Sequence, residues 1–335
     1  MRAVMCRRWC HYGELQLEDV PAPPLPPGCV RIRVHYACVT FGQTLVVEGR
    51  YQRKPPHPFS PGSEVSGIVA EVAPDVTGFI VGDRVAAAID WGGYAEEAIA
   101  TQETVWHVPD GIALDVAASL PITWGTSYAA LHWRARVQPG QSLLVFGAAG
   151  GVGLAAVQLG RLAGCKVIAV AGSQERVDLA LRHGADLGLV HGGSDLGRRI
   201  KVLNGGRDVD VVYDPVGGSL FMQALRCTAP EGKILVVGFA GGDVPQIPAN
   251  LLLVKNIEVI GFFFGLYIGW GAADERKRHA PRLKEMMRTL FTEVQAGRLL
   301  PASSGVYPLE SFREAFDSVV QRSSSGRVLL RVAAA

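Results

Sequence analysis

The chain has 335 residues, of which 48% are hydrophobic and 19% are charged. At roughly 150 residues per domain this length predicts two domains, and the composition excludes a disordered chain. Lys and Arg together number 33 against 31 for Asp and Glu, a net charge of +2. A nucleic-acid-binding protein normally carries a concentrated basic surplus, so nucleic acid is not an expected partner.

Membrane and export signals are missing from the sequence pattern. Apolar stretches such as residues 259–269 are shorter than the ~20 residues of a membrane-spanning helix. Residues 1–8 contain Arg7 and Arg8 and no apolar run of the signal-peptide type. We therefore expect a cytoplasmic protein that does not insert into membranes. The six cysteines include no C-x-x-C pair and are expected to be buried thiols, although Cys6, Cys10 and His11 form a weak zinc signal.

The first 120 residues contain short β-type runs at 29–34, 67–72 and 83–88, separated by turn residues. Residues 21–28 are too rich in proline for a helix or a central strand and predict an extended surface connection. Strands at this spacing, with no helices between them, predict an antiparallel, barrel-like domain.

The pattern changes after Ser142, where apolar strands begin to alternate with amphipathic helices. This alternation predicts a parallel sheet covered on both faces. The strands predicted in this region are 143–146, 166–170, 187–190, 209–213 and 233–237, and the clearest helices are 152–163 and 174–183. They are followed by one more helix, predicted at 282–295, and by a strand, predicted at 326–332.

A glycine-rich loop at 147–153 follows the first of these strands and opens the first helix. In this context glycines allow the backbone to approach a pyrophosphate, and the helix N-terminus offers N–H groups to the anion. The loop therefore predicts a dinucleotide site, although Ala148 replaces the first glycine of the commonest pattern. The residues expected at the phosphates are Ala149, Gly150, Gly151 and Val152.

The end of the next strand indicates which dinucleotide binds. An NAD site usually has an acid about 20 residues after the loop, where it accepts from the ribose hydroxyl. Here Gly172, Ser173 and Arg176 follow the strand, and Glu175 lies within the start of the helix. A hydroxyl and a cation suit a 2′-phosphate, so NADPH is the expected cofactor. The alternative is that Ser173 caps the helix and Arg176 is a solvated helix residue.

These segments resemble the zinc-independent NADPH:quinone oxidoreductase (zeta-crystallin-like) branch of the medium-chain dehydrogenase/reductase superfamily. The resemblance covers nearly the whole chain and is carried by residues 37–49, 51–67, 120–153, 208–218 and 235–261. It implies a GroES-like β-barrel catalytic domain from residues 1–121 and 263–335, and a Rossmann domain with a doubly wound parallel sheet from residues 122–262. It also implies a cofactor cleft at the domain junction and a homodimer.

Two departures from related families bear on the chemistry. Zinc-dependent relatives have a Cys and a His where this chain has Thr40 and Ser63, so catalytic zinc is not expected. The Asn-x-x-Asp pair of the quinone reductase branch becomes Thr40 and Gln43, which leaves the substrate contacts open.

The resemblance also implies roles for individual residues. Thr40, Gln43 and Tyr51 are expected at the acceptor, with Tyr51 at the position of a proton-donating tyrosine in similar 2-enoyl thioester reductases. The alternative for Tyr51 is simple packing. Phe41 and Phe263 are expected as apolar walls, and His191 stands where many relatives have a tyrosine beside the 2′-phosphate, although it can equally be an exposed loop residue. Cofactor contacts are further implied for Thr126, Gly238, Phe239, Asn250 and Phe263.

The expected function is NADPH-dependent hydride transfer to a quinone or another activated α,β-unsaturated carbonyl compound. Such acceptors are electrophilic enough to take a hydride without a Lewis acid, and the protein then stabilises the charge on their oxygen. The alternatives are a 2-enoyl thioester or enone reductase and a non-catalytic NADPH-binding protein.

Overall fold

The computed structural model describes residues 1–333 and forms two compact units. The terminal unit contains Met1–Gly125, Gly265–Gly297 and the residues from Pro301 onward, and the central unit contains Thr126–Phe264 and Arg298–Leu300. The sequence predicted boundaries after residues 121 and 262. The short return of Arg298–Leu300 was not predicted; Leu300 joins the central unit because its N–H donates to Gln158 Oε1 at 2.7 Å and its carbonyl accepts from Gln158 Nε2 at 3.1 Å.

The strands within residues 1–333 are numbered in chain order. They are β1 (Arg2–Met5), β2 (Gln16–Asp19), β3 (Cys29–Val39), β4 (Glu64–Val72), β5 (Arg84–Ala88), β6 (Glu97–Thr101), β7 (Val105–His107), β8 (Ser142–Phe146), β9 (Lys166–Ala171), β10 (Leu187–Val190), β11 (Val209–Asp214), β12 (Thr228–Val236), β13 (Glu258–Gly261), β14 (Ser303–Pro308) and β15 (Arg327–Arg331).

The helices of the same range are numbered in the same way. They are α1 (Phe41–Val47), α2 (Leu114–Ala117), α3 (Gly125–Tyr128), α4 (Gly151–Leu162), α5 (Gln174–Arg182), α6 (Leu196–Leu203), α7 (Gly218–Cys227), α8 (Ala249–Lys255), α9 (Arg276–Gln295) and α10 (Phe312–Val320). Two short π-helical segments, Leu120–Trp124 and Ala129–Ala135, flank α3.

The terminal unit is built on a seven-stranded sheet in the order β14-β15-β3-β4-β5-β7, with β6 also paired to β3. Its pairs are antiparallel except β14–β15. The predicted antiparallel domain is present, but the hydrogen-bonded order ends at β14 and β7, so these strands do not close into the expected barrel. Strands β1 and β2 form a separate two-stranded sheet.

Strand β3 shows why the sequence folds in this way. Val30, Ile32 and Val34 alternate along it and are fully buried in the core of the terminal unit. Arg31 lies between them on the other face and forms ion pairs with Glu71 and Glu97 on β4 and β6. This period of two is typical of a strand with one buried face.

The central unit contains a parallel six-stranded sheet in the order β10-β9-β8-β11-β12-β13. All residues of β8 are buried, as expected for a strand covered on both faces. In chain order within the unit this is the doubly wound order 3-2-1-4-5-6. Such sheets bind ligands at the carboxyl ends of the strands, where the order reverses between β8 and β11.

The prediction that a helix begins at residue 282 was wrong, because α9 begins at Arg276 and contains Pro281, and the later helix α10 was not predicted. Pro281 is the sixth residue of α9 and has no N–H for the carbonyl four residues earlier, which is why the sequence pattern favoured a start after it. The first turn is held by the buried Arg276, whose guanidinium donates to Asp90, Asp274 and Thr101.

Candidate active site

The glycine-rich loop leaves β8 at Phe146 and enters α4 at Gly151, as predicted for a phosphate loop. A Cβ atom on Gly153 would lie 2.1 Å from the carbonyl oxygen of Gly147. No side chain fits in that space, so Gly153 allows the helix to pack directly against the loop.

The N-terminus of α4 supplies the polar groups of this loop. Amide N–H groups in the first helical turn, which includes Gly151 and Val152, have no earlier helical carbonyl to bind and carry the positive end of the helix dipole. Ala149 and Gly150 lie immediately before this turn, and the Gly150 N–H is already bound to Gly147 O at 2.9 Å. The close approach at Gly153 and this amide-rich turn fit a dinucleotide pyrophosphate.

Two further loops meet the glycine-rich loop at the same edge of the sheet. A Cβ atom on Gly147 would lie 3.3 Å from Val216, and one on Gly217 would lie 2.9 Å from the Phe239 ring. One on Gly238 would lie 3.3 Å from the carbonyl oxygen of Pro215. The structure thus brings Gly238 and Phe239 to the edge where the phosphate loop lies.

Thr126 lies in α3 beside Ser127, whose hydroxyl connects the elements around it. Ser127 Oγ donates to the carbonyl of Val152 at 2.7 Å and lies 2.9 Å from the Tyr213 hydroxyl. These bonds fix α3 against the first turn of α4 and the end of β11. Thr126 is therefore adjacent in sequence to Ser127, the residue that contacts the first turn of α4.

The residues predicted at the adenosine ribose lie together where β9 and β10 end. The imidazole Nε2 of His191 lies 3.4 Å from the position of a Cβ atom on Gly172, and the His191 N–H donates to Ala171 O at 2.9 Å. Ser173 caps α5 by accepting from the N–H of Arg176 at 3.4 Å. The structure supports the capping role of Ser173 and leaves its hydroxyl hydrogen available as a donor.

Two further predicted cofactor contacts lie on other segments of the central unit. Asn250 is exposed in the first turn of α8. Phe263 is partly buried two residues after the end of β13. Both remain predictions from the resemblance.

The terminal unit contains a cavity of about 70 Å³ among its own residues. All three predicted acceptor residues, Thr40, Gln43 and Tyr51, line it. A Cβ atom on Gly42 would lie 3.7 Å from both Thr40 Oγ1 and Tyr51 Cε2, so the hydroxyl and the ring edge meet over the bare backbone of Gly42. Burial raises the pKa of Tyr51, so the phenol keeps its proton at neutral pH. Phe41, predicted as an apolar wall, is not among the lining residues.

Gln43 has a different role from the other two. Its Oε1 accepts from the Gly62 N–H at 3.0 Å, and its Nε2 donates to Ser63 Oγ at 3.1 Å. Ser63 Oγ in turn donates to the carbonyl of Asp90 at 3.2 Å. The amide of Gln43 therefore holds the loop that forms one wall of the cavity.

Glu64 is a cavity residue that the sequence analysis missed. Its carboxyl group accepts from the N–H groups of Ile122 and Thr123 at 2.6 and 2.8 Å and from the Thr123 hydroxyl at 2.8 Å. Burial raises its pKa to about 7, and these hydrogen bonds oppose the rise without cancelling it. The available signal was an acid at the start of a strand whose first four residues are buried.

A second missed group surrounds Asp90 at the cavity wall. Asp90 Oδ1 accepts from Arg53 at 2.5 Å, from the indole N–H of Trp270 at 3.1 Å and from Arg276 at 3.0 Å. Burial raises the pKa of Asp90, but the two arginines outweigh it and hold the pKa below its ordinary value. The Arg53 guanidinium also lies over the rings of Trp91 and Trp270.

Residues 1–333 contain neither a metal-binding cluster nor a membrane-spanning helix. No group of three or more His, Cys, Asp and Glu side chains in that range is arranged to hold a metal ion. No helix of that range is long and apolar enough to cross a bilayer.

Comparison with known proteins identifies two family domains in the chain. Residues 26–110 match the family described as "Alcohol dehydrogenase GroES-like domain", and residues 151–278 match "Zinc-binding dehydrogenase".

Full-length relatives agree with these matches. The chain is 40% identical to rat "Quinone oxidoreductase-like protein 2" over 94% of this chain and 88% of that protein. It is 31% identical to human "Quinone oxidoreductase" over 98% of this chain and 97% of that protein. The solved structure of Escherichia coli quinone oxidoreductase complexed with NADPH is 25% identical and superposes with a TM-score of 0.90, covering 99% of this chain and 100% of that one. The chain belongs to the quinone oxidoreductase branch of the medium-chain dehydrogenase/reductase superfamily.

Proposed function

We propose that this oxidoreductase uses NADPH to reduce quinones or other activated α,β-unsaturated carbonyl compounds without a catalytic metal. The observation that carries the proposal is the cavity of the terminal unit. At the two positions where zinc-dependent relatives have metal ligands, it presents the hydroxyl groups of Thr40 and Ser63. Neutral hydroxyls are poor zinc ligands and good hydrogen-bond donors.

The coenzyme part of the proposal rests on the central unit. The end of β9 offers Ser173 and Arg176, with His191 beside Gly172. These groups suit an anionic 2′-phosphate better than a ribose hydroxyl, which would favour an acid at this place. The coenzyme supplies the hydride when it is bound.

The chain's own groups would then stabilise the reduced acceptor. The hydroxyls of Thr40 and Tyr51 would donate hydrogen bonds to the acceptor oxygen, where negative charge develops. The phenol of Tyr51 is protonated at neutral pH, so it can donate a hydrogen bond to that oxygen or a proton to the neighbouring carbon. Gln43 would keep the cavity wall in place.

The substrate class is tested by NADPH oxidation with 1,4-naphthoquinone and, separately, with crotonyl-CoA. We expect turnover with the quinone. Turnover with the thioester alone would assign the chain to the 2-enoyl reductases instead. Tight NADPH binding with no turnover on a panel of quinones and enones would make it a non-catalytic NADPH-binding protein.

We also propose that the chain forms a homodimer through its central unit. Strand β13 ends the six-stranded sheet among residues 1–333. Leu253 and Val254 on the preceding helix α8 are each 76% exposed. An unpaired strand edge beside exposed apolar side chains favours association with a second copy.

A further inference from the structure

The loop that carries His191 contains two consecutive glycines in unusual backbone conformations. Gly192 and Gly193 have φ angles of +144° and +75°, values that other residues rarely adopt. Such a segment has many alternative conformations when it is not tied down, so its own backbone does not fix the direction of the His191 ring.

Arg199, in the first turns of α6, ties this loop down. Its Nη1 donates to the carbonyl of Gly192 at 3.1 Å, and its Nη2 donates to the carbonyl of Val190 at 3.2 Å. These two carbonyls belong to the residues on either side of His191. One planar guanidinium therefore restrains the peptide group between Val190 and His191 and also the peptide group that follows Gly192, which a single-donor side chain cannot do.

The fixed peptide groups determine where the imidazole lies. The His191 N–H bonds to Ala171 O at 2.9 Å, and its Nε2 lies 3.4 Å from the Cβ position of Gly172. The ring is thus held at the end of β9, next to the α5 cap formed by Ser173. The peptide group before His191 is restrained by both β9 and Arg199, and the carbonyl of the next residue, Gly192, is restrained by Arg199.

We propose that Arg199 is a positioning residue for coenzyme selectivity, which holds His191 where its imidazole meets the 2′-phosphate of NADPH. This inference rests on the proposed NADPH-dependent function. NADH has no phosphate at this place, so the arrangement adds affinity for one coenzyme and not for the other. Arg199 acts through His191 and not as a direct phosphate ligand.

The first test is the affinity of Arg199→Ala for each coenzyme, measured by isothermal titration calorimetry. We expect the Kd for NADPH to rise about tenfold, as when a charge-assisted contact is lost, and the Kd for NADH to stay within about twofold. Arg199→Lys keeps a cation that can bind one of the two carbonyls, so it should recover part of the NADPH affinity. Unchanged NADH binding also shows that the variant is folded.

Arg198→Ala is the matched control, because Arg198 is the neighbouring residue of the same charge and is exposed. If removal of positive charge near the site were sufficient, both alanine variants would weaken NADPH equally, and the positioning role would be refuted. We expect Arg198→Ala to leave both Kd values unchanged.

The second test combines Arg199→Ala with His191→Ala. If Arg199 acts through the histidine, the double variant binds NADPH no more weakly than His191→Ala alone. Additive losses, or an Arg199→Ala variant that keeps the wild-type preference, would overturn the inference. A wild-type protein without a preference for NADPH would instead refute the proposed cofactor, so the two failures are distinct.

Discussion

Thr40 and Tyr51 share the surface above Gly42, and their surroundings differ from those of Gln43. The amide of Gln43 is engaged with Gly62 and Ser63, whereas Thr40, at the N-cap of α1, makes no side-chain capping bond. A hydroxyl that does not cap its helix can donate to a ligand without giving up that bond. At the scale of single residues, the Thr40 hydroxyl is therefore a stronger candidate for ligand binding than the Gln43 amide.

Replacement of Tyr51 by Phe removes the phenolic hydroxyl and keeps the aromatic ring. We expect kcat for the quinone to fall on the order of 10–100-fold, because general acids contribute at least this much. The Kd for NADPH should not change. Steady-state kinetics and calorimetry together measure both quantities. The control is Tyr307→Phe, because Tyr307 is a tyrosine of the terminal unit that does not line the cavity. If Tyr51→Phe is as active as this control, Tyr51 has only a packing role.

Glu64 makes the stability of the protein depend on pH. Its pKa is raised from 4.5 to about 7 in the folded state, so the folded protein binds a proton more tightly than the unfolded chain does. The stability that this provides is fully present below about pH 4.5 and is lost as the pH rises through 7. The change is on the order of 3 kcal/mol.

Urea unfolding at pH 5 and pH 8 tests this dependence. Wild type should lose stability between the two values, and Glu64→Gln should lose much less, because its amide does not titrate. The exposed Glu258 provides the control Glu258→Gln, which should keep the wild-type slope. A variant with the full wild-type dependence would show that another group is responsible.

At the scale of elements, the packing of α4 against the phosphate loop depends on one missing side chain. In Gly153→Ala the new methyl group would lie 2.1 Å from Gly147 O, so the helix or the loop must move. We expect a destabilisation of about 1–3 kcal/mol, as for other overpacked sites. NADPH affinity should fall at least tenfold, because the helix N-terminus no longer faces the pyrophosphate correctly.

Calorimetric titration and urea unfolding measure the two effects. Gly261→Ala is the matched control, because its added Cβ would have no atom within 4 Å. If Gly153→Ala binds NADPH like wild type, the loop does not hold the pyrophosphate in the proposed way.

The elements of the central unit were more predictable than the cavity. The strand, loop and helix around Gly153 are consecutive in sequence, so glycine spacing and apolar periodicity indicated them, and β8 to β11 were predicted within two residues of their observed bounds. The cavity brings together residues from distant segments of the sequence, among them Thr40, Glu64, Asp90 and Trp270. Local sequence patterns do not encode contacts between segments that are far apart in the sequence. The resemblance indicated Thr40 and Tyr51, the position of Glu64 at the start of a strand was its one local signal, and nothing local indicated Trp270.

At the scale of the whole molecule, the proposed dimer gives a direct prediction. We expect sedimentation equilibrium to show twice the mass of the chain for wild type. Leu253→Asp places a charge on the exposed apolar surface of α8 and should weaken the dimer at least tenfold. Val202→Asp changes another exposed apolar residue of the central unit, 69% exposed on α6, and should leave the dimer intact. A monomeric wild type would refute the proposal.

The order in which the strands of the terminal unit occur along the chain affects its biosynthesis. Strand β15 pairs with β3, with Val328 opposite Val39, so two partners that are far apart in the sequence must meet. Every strand of the central unit is synthesised after β3 and before β15. The central unit can therefore fold while one edge of β3 is still unpaired, and unpaired edges of this kind are surfaces that chaperones shield.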